Sequence, residues 1–127
     1  MKKITFETDR APEAIGPYSQ AVKYDGILYC SGQIGLDPET MQLSGSDIVS
    51  QSRQVMKNLG EVLKASGCNF NDVLKCTIYL ADMDDFAKVN EIYGEVFNEL
   101  PPARETVAVK TLPKNALVEI SCLAIAN

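Results

Sequence analysis

The chain has 127 residues, 46% of them hydrophobic and 23% charged, which fits a single globular domain over residues 1–127. Its net charge is −5 and it has no cluster of Lys and Arg, which argues against nucleic acid or an anionic membrane surface as a partner. The absence of histidine excludes catalytic triads that use His and zinc sites that His would ligate.

The cysteines and the N-terminal residues indicate where such a protein works. The N-terminal sequence MKKITFETDR has no apolar segment of the kind that a secretory signal needs, and no apolar run approaches the length of a membrane span. None of the cysteines has CxxC spacing. We therefore expect a cytoplasmic protein without a metal site, in which the thiols are reduced and structural: Cys30, Cys68, Cys76 and Cys122.

The first half of the chain predicts three strands and one helix. Alternating or β-branched patterns occupy residues 3–6, 21–24 and 27–34, and Asp25-Gly26 between the last two is a hairpin signal. Apolar residues at helical spacing then predict a helix. This helix covers 47–66, with Ser46 or Asp47 as its N-cap and Gly67 as its left-handed stop; loops rich in turn residues occupy 9–20 and 35–46.

The second half predicts a strand, a helix and two more strands. The strand covers 73–80, and the helix covers about 83–99, where Pro101-Pro102 stops it. Strands follow at 104–110 and 116–126, and the local pattern alone suggests that they pair as a hairpin. Strand 116–126 is apolar on both faces, which is typical of a central strand.

This order of elements predicts a two-layer α+β domain, in which two helices cover one face of a sheet. The other face of the sheet is also largely apolar, since Leu117 and Leu123 lie on it. A face of that kind is normally covered, so we expect it to pack against other copies of the chain in a homo-oligomer.

Two charged residues stand out on the last two strands. Arg104 begins one apolar strand, and Glu119 lies in the middle of the other. Because a buried charge is costly unless something pairs with it, opposite charges at these positions suggest a site for a small polar ligand. Structural roles also fit the residues: Arg104 as an interface or salt-bridge residue, Glu119 as the partner of a lysine, and Tyr18 as a packed tyrosine.

Three motifs together resemble the Rid/YjgF family of small enamine and imine deaminases. They are IGPYSQAV (15–22), SGQIGLDP (31–38), and PPAR (101–104) with VEI (118–120), in the order that the family has them. The resemblance implies a chorismate-mutase-like fold with a mixed six-stranded sheet, two helices on one face, and a homotrimer with ligand clefts between subunits. It places strand 116–126 between 27–34 and 73–80, and strand 104–110 at the sheet edge beside 73–80.

The resemblance also implies the roles of the site residues. Arg104 takes the position that binds the substrate carboxylate, and Glu119 the position that handles water; both are expected to face away from the helices. The other matching positions bind substrate and are Tyr18, Ser31, Gly32, Asn90 and Thr106. Many relatives have a cysteine where this chain has Thr106, so the change argues against a reactive thiol there more than against the activity.

The implied reaction is the hydrolysis of 2-aminoacrylate or 2-aminocrotonate, as their imine tautomers, to a 2-oxo acid and ammonia. A protonated imine is already electrophilic, so the chemistry requires no metal, cofactor or covalent nucleophile. Two alternatives remain: a non-catalytic module that binds 2-oxo acids in the same cleft, and a translation inhibitor that cleaves RNA. The negative net charge and the lack of histidine make the RNA-cleaving role the least favoured.

Overall fold

The computed structural model describes residues 2–127, so the first residue of the domain predicted over 1–127 lies outside it. Six strands form one mixed sheet, in the spatial order β1-β2-β3-β6-β4-β5, and two helices pack on it. This confirms the predicted α+β fold. The elements are β1 (Ile4–Phe6), β2 (Ala21–Tyr24), β3 (Ile27–Ile34), α1 (Ile48–Ala65), β4 (Val73–Leu80), α2 (Phe86–Val96), β5 (Ala103–Ala108) and β6 (Val118–Ile125).

The strand pairing follows the family resemblance and contradicts the local hairpin pattern. β5 runs parallel to β4, from the pair Lys75–Ala103 to the pair Leu80–Ala108. β6 is antiparallel to both β3 and β4 and lies between them. The hairpin of 104–110 with 116–126 is wrong because α2 carries the chain across the sheet, and a helical crossover returns a strand in parallel.

The core lies between the sheet and the helices. On β6, side chains alternate between the two faces of the sheet as predicted: Val118, Ile120, Cys122 and Ala124 are buried, while Glu119 is only half-buried. The buried set joins one apolar cluster with residues of both helices and the other central strands. Full burial of a large apolar side chain contributes about 2 kcal/mol, so this cluster fixes which face of each strand points inward.

The helix ends follow from capping. Asp47 accepts a hydrogen bond from the Ser50 N–H at 2.9 Å, and Gly67 adopts a φ of 79° just beyond the last turn of α1. The predicted boundaries of this helix are therefore confirmed to within a residue. α2 is shorter than the predicted 83–99, because Asp82 caps a separate 3₁₀ turn over 83–85 and the helix ends at Val96.

The sheet face away from the helices, called the open face below, carries exposed apolar side chains. Tyr29 on β3 lies opposite Leu123 on β6, and Tyr24 lies in one row with Ile27 and Ile125. Tyr29 and Ile125 are 47% and 45% exposed, so this face is not covered by the chain itself. Such a surface is consistent with the homotrimer, which stays a prediction. Within residues 2–127, no helix is both long and apolar enough to cross a membrane.

Candidate active site

Arg104 is held on the helix side of the sheet. Its Nη1 donates a hydrogen bond to the Asn90 Oδ1 at 2.6 Å, and its Cζ lies 4.9 Å from the ring centroid of Tyr93 and 5.5 Å from that of Phe86. These three partners lie on α2 at helical spacing, so one stripe of that helix faces the edge strand β5. No Asp or Glu within residues 2–127 forms an ion pair with Arg104.

A cavity of about 370 Å³ adjoins this arginine. It lies between the second half of α2 and the segment that leads into β5, where Pro101 and Pro102 form part of the wall. Thr106 is on the same side of β5, since its register partner Ile78 is buried against the helices. The Thr106 Oγ1 is buried and has no hydrogen-bond partner.

Glu119 lines a second cavity, of about 350 Å³, on the open face. Burial raises the pKa of this carboxyl group above its ordinary value. Tyr18 and Gly32 line the same cavity, and Tyr18 remains 53% exposed. A Cβ at Gly32 would overlap the Glu119 carboxyl group, so a larger residue here would force the Glu119 side chain to move from its present position. The Glu119 side chain thus lies close against the backbone of Gly32.

A β-bulge shapes the strand beside Glu119. Cys30 pairs with Cys122 and Gln33 with Ile120, so Ser31 and Gly32 together face a single residue of β6. A bulge leaves backbone groups unpaired and redirects side chains, and bulges are common beside active sites. Gly32 therefore lies in a bulge directly beside the strand that carries Glu119.

Ser31 is joined by two hydrogen bonds to the chain before β2. Its Oγ donates to the Ser19 carbonyl at 2.6 Å, and its backbone N–H donates to the Gln20 carbonyl at 2.9 Å. Because the hydroxyl proton is engaged, the lone pairs of Ser31 Oγ remain free to accept. The serine can therefore offer a ligand an acceptor, which suits a protonated nitrogen.

The expectation that Arg104 and Glu119 face the same side of the sheet is wrong. In the ladder, Arg104 lies beside Cys76 and then Cys122, both buried on the helix side, whereas Glu119 lies on the alternate face of β6. Two strand spacings and three residues along the strand separate their Cα atoms by roughly 14 Å. The structure therefore groups Glu119 with Tyr18, Gly32 and the adjoining Ser31, and Arg104 with Asn90.

Residue reasoning missed two groups at these cavities. The motifs assign no role to Phe86 and Tyr93 beside Arg104, although the spacing of these residues with Asn90 could have shown that all three share one face of the helix. Lys114 lines the Glu119 cavity and has a φ of 56° in a short turn after Pro113. No pattern in the sequence indicates that Lys114 adopts a left-handed backbone conformation, since this conformation is usual only for glycine and asparagine.

The four cysteines are buried and free. Three of them form a row across the sheet, where Cys30 and Cys76 both pair with Cys122. Burial raises the pKa of Cys76 to about 11, and the pKa of Cys122 is also raised, by its hydrogen bond with Cys30 and by burial. A thiol needs a lowered pKa and access to act as a nucleophile, so this row fits the structural role expected for it. Within residues 2–127, no group of His, Cys, Asp or Glu is placed to hold a metal ion.

The fold and these cavities define a small α+β protein with two polar half-sites on opposite faces of one sheet. The arginine half-site is the cavity beside Arg104 and Asn90, and the glutamate half-site is the cavity beside Glu119 and Tyr18. A family model described as Endoribonuclease L-PSP matches residues 8–126. The 2-iminobutanoate/2-iminopropanoate deaminase of Mus musculus is 52% identical, over 94% of this chain and 89% of that protein, and Protein DfrA of Myxococcus xanthus is 50% identical, over 98% and 97%. The chain belongs to the Endoribonuclease L-PSP family, which is the Rid/YjgF family that the motifs indicated.

Solved structures agree with this assignment. A crystal structure of a protein from Entamoeba histolytica, described as a putative endoribonuclease L-PSP, matches 98% of this chain and 99% of that chain with a TM-score of 0.95 and 48% identity. The YjgF gene product of E. coli matches 98% and 99% with a TM-score of 0.92 and 37% identity. The names within the family thus include both a deaminase and an endoribonuclease.

Proposed function

We propose that this protein hydrolyses 2-imino acids, formed from 2-aminoacrylate or 2-aminocrotonate, to 2-oxo acids and ammonia. The observation that carries the proposal is Arg104, an accessible guanidinium that is fixed in place without a carboxylate partner. The activity fits the deaminases among the relatives of this chain, such as those of Mus musculus and Homo sapiens.

Each half-site suits one part of this substrate. The planar guanidinium of Arg104 can hold the carboxylate by two parallel hydrogen bonds. Ser31 can accept a hydrogen bond from the iminium N–H, since its own proton is already donated to Ser19. Tyr18 would form an aromatic wall, and the backbone of Gly32 and Thr106 would line the pocket.

In this proposal, Glu119 activates the attacking water. Its carboxylate would orient a water molecule toward the iminium carbon and accept one proton as the C–O bond forms. The resulting tetrahedral adduct carries a hydroxyl and an amino group on the same carbon. Glu119 then gives that proton to the amino nitrogen, and as the C–N bond breaks to release ammonia, the carboxylate takes the remaining hydroxyl proton, which leaves the 2-oxo acid. Positioning supplies most of the rate gain, because the protonated imine is already electrophilic.

The distance between the half-sites requires a second copy of the chain. At roughly 14 Å apart and on opposite faces of the sheet, Arg104 and Glu119 of one chain cannot both contact a substrate of this size. We therefore propose a homotrimer with three sites, each with the arginine half-site of one subunit and the glutamate half-site of its neighbour. The exposed apolar side chains of the open face support such contacts.

The test is ammonia release while an excess of threonine or serine dehydratase generates the imine. Loss of two charge-assisted hydrogen bonds predicts that Arg104→Ala lowers kcat/KM roughly 100-fold, with Arg104→Lys in between. Unchanged activity in Arg104→Ala would contradict the proposal. Arg53→Ala is the matched control, because that arginine pairs with Glu95 on the outer surface of the helices.

The same preparations decide between the competing roles. A non-catalytic module would bind 2-oxobutanoate in a titration and leave imine breakdown at its uncatalysed rate. Cleavage of RNA by the purified protein, lost in Arg104→Ala, would favour the role that the family description names.

A further inference from the structure

We propose that α2 holds Arg104 in a cage of neutral groups, formed by Phe86, Asn90 and Tyr93, that orients the guanidinium for a carboxylate without neutralising its charge. The proposal rests on the function above, in which the carboxylate belongs to the 2-imino acid. It makes Phe86 and Tyr93 positioning residues, which act on substrate only through Arg104.

The geometry of the cage follows from one stripe of α2. Phe86, Asn90 and Tyr93 are spaced by four and three residues, so their side chains share one face of the helix. Both ring centroids lie within 5.5 Å of the Arg104 Cζ, inside the range at which a cation is attracted to an aromatic face. Between the two rings along the helix, the Asn90 Oδ1 accepts the Nη1 hydrogen bond.

The walls of the cage are themselves fixed. Tyr93 is only 5% exposed, and its ring packs on Phe97 with the two centroids 4.6 Å apart. Phe86 is half-buried against the main core. A guanidinium that lies against rings held in this way has few orientations open to it.

Another arginine of this chain shows the alternative arrangement. Arg53 directs Nη1 and Nη2 toward the two carboxylate oxygens of Glu95, at 2.9 and 3.5 Å, so a carboxylate already occupies the donor groups of this guanidinium. Arg104 gives one hydrogen bond to an uncharged amide and has no acidic partner within residues 2–127. A guanidinium has five N–H donors, so most of those on Arg104 remain for a ligand.

A neutral cage gains affinity by preorganisation. A long exposed side chain loses rotamer freedom when a ligand fixes it, and that loss weakens binding. A carboxylate partner such as Glu95 would also restrict the side chain, but it would compete directly with an incoming carboxylate. Aromatic faces and an amide oxygen restrict it while the positive charge stays available.

The experiment is a calorimetric titration of 2-oxobutanoate, with steady-state imine hydrolysis on the same variants. We expect Phe86→Leu and Tyr93→Leu each to weaken binding about 5-fold and to raise KM similarly, with a smaller effect on kcat. Tyr93→Phe restores the ring face and should recover most of what Tyr93→Leu loses. Phe70→Leu is the matched control, since Phe70 is also half-buried and packs on Phe97 but does not contact Arg104.

The melting temperature of each variant, measured by thermal unfolding, distinguishes a general loss of core packing from a loss of the orientation of Arg104. The cage is wrong if Phe86→Leu and Tyr93→Leu bind 2-oxobutanoate as tightly as Phe70→Leu does, or if Tyr93→Phe binds no better than Tyr93→Leu. If the wild-type protein binds 2-oxobutanoate through this cage yet does not accelerate imine hydrolysis, the proposed reaction fails and the cage stands. If it hydrolyses imines while the cage variants match the control, the cage fails and the reaction stands.

Discussion

Arg104 and Glu119 are the two charged residues that the apolar strands carry toward cavities, and their surroundings differ. Arg104 lies on an edge strand, where the guanidinium keeps contact with water while α2 orients it. Glu119 lies on a central strand and is half-buried, so water solvates its carboxylate less well. One residue is therefore suited to bind an anion, and the other to exchange a proton.

The raised pKa of Glu119 predicts the pH dependence of the reaction. Glu119 must be ionised to accept a proton, and burial moves its pKa above the ordinary value of 4.5. We expect kcat/KM to fall about tenfold per pH unit as the pH drops below that raised pKa, and to level off above it. Coupled assays across this range, with the dehydratase in excess, provide the measurement.

Two variants assign this pH dependence to Glu119. Glu119→Gln should lose both the activity and the slope. Glu105→Gln, which changes an exposed glutamate that pairs with Lys75 on the neighbouring strand, should keep the wild-type profile.

The raised pKa of Glu119 also affects stability. A raised pKa in the folded state means that Glu119 favours folding below its ordinary pKa, and that this contribution is lost as the pH rises through the raised pKa. Glu119→Gln should therefore be at least as stable as wild type at pH 7.5, and lower stability there would contradict the burial.

At the level of elements, one buried side chain fixes the loop before β2. Gln20 is 3% exposed; its Oε1 accepts from the Thr8 N–H at 2.6 Å, and its Nε2 donates to the Pro12 carbonyl at 2.7 Å. The loop between these contacts and β2 carries Tyr18 to the Glu119 cavity. One amide thus ties a segment without regular structure to the edge of the sheet.

Gln20→Leu should loosen this loop. The loss leaves buried backbone groups without partners, so we expect the free energy of unfolding to fall by about 2 kcal/mol and KM to rise. Denaturant titration and imine kinetics measure the two effects. Asp47→Ala, which removes the N-cap of α1 and costs about 1 kcal/mol, serves as the comparison because it lowers stability away from the loop. A Gln20→Leu protein that loses stability but keeps its KM would show that substrate binding does not depend on the hydrogen bonds of Gln20 to this loop.

The sequence predicts where the helices and strands lie better than it predicts which face of the sheet each side chain occupies. The alternation along 116–126 places Glu119 opposite the buried residues of β6, and Asp25-Gly26 adopts left-handed φ values of 50° and 80° as a tight hairpin requires. For strand 104–110, alternation gives only that Arg104 and Thr106 share a side. Which side that is depends on the parallel register with β4, which no local pattern contains.

For the whole molecule, the proposed reaction predicts that activity depends on assembly, because Arg104 and Glu119 lie on opposite faces of the sheet. A substrate that reaches both Arg104 and Glu119 must take them from different copies of the chain, so in the proposed homotrimer each subunit would contribute to two sites. The apolar open face gives a reason for such copies to associate. A folded monomer would then retain both half-sites and lack a complete site.

Mixing two inactive variants tests this arrangement directly. Arg104→Ala chains keep the glutamate half-site and Glu119→Gln chains keep the arginine half-site, so some sites in mixed trimers receive one intact half from each. With equal amounts and random assembly, about a quarter of the sites are complete, and the mixture should recover about that share of wild-type activity. Activity is measured after the two proteins are unfolded, combined and refolded.

A mixture of Arg104→Ala with the double variant Arg104→Ala/Glu119→Gln is the control, and it should stay inactive because no chain supplies the arginine. If the first mixture also stays inactive although both chains assemble together, the two residues act within one chain, and the proposed inter-subunit site is wrong.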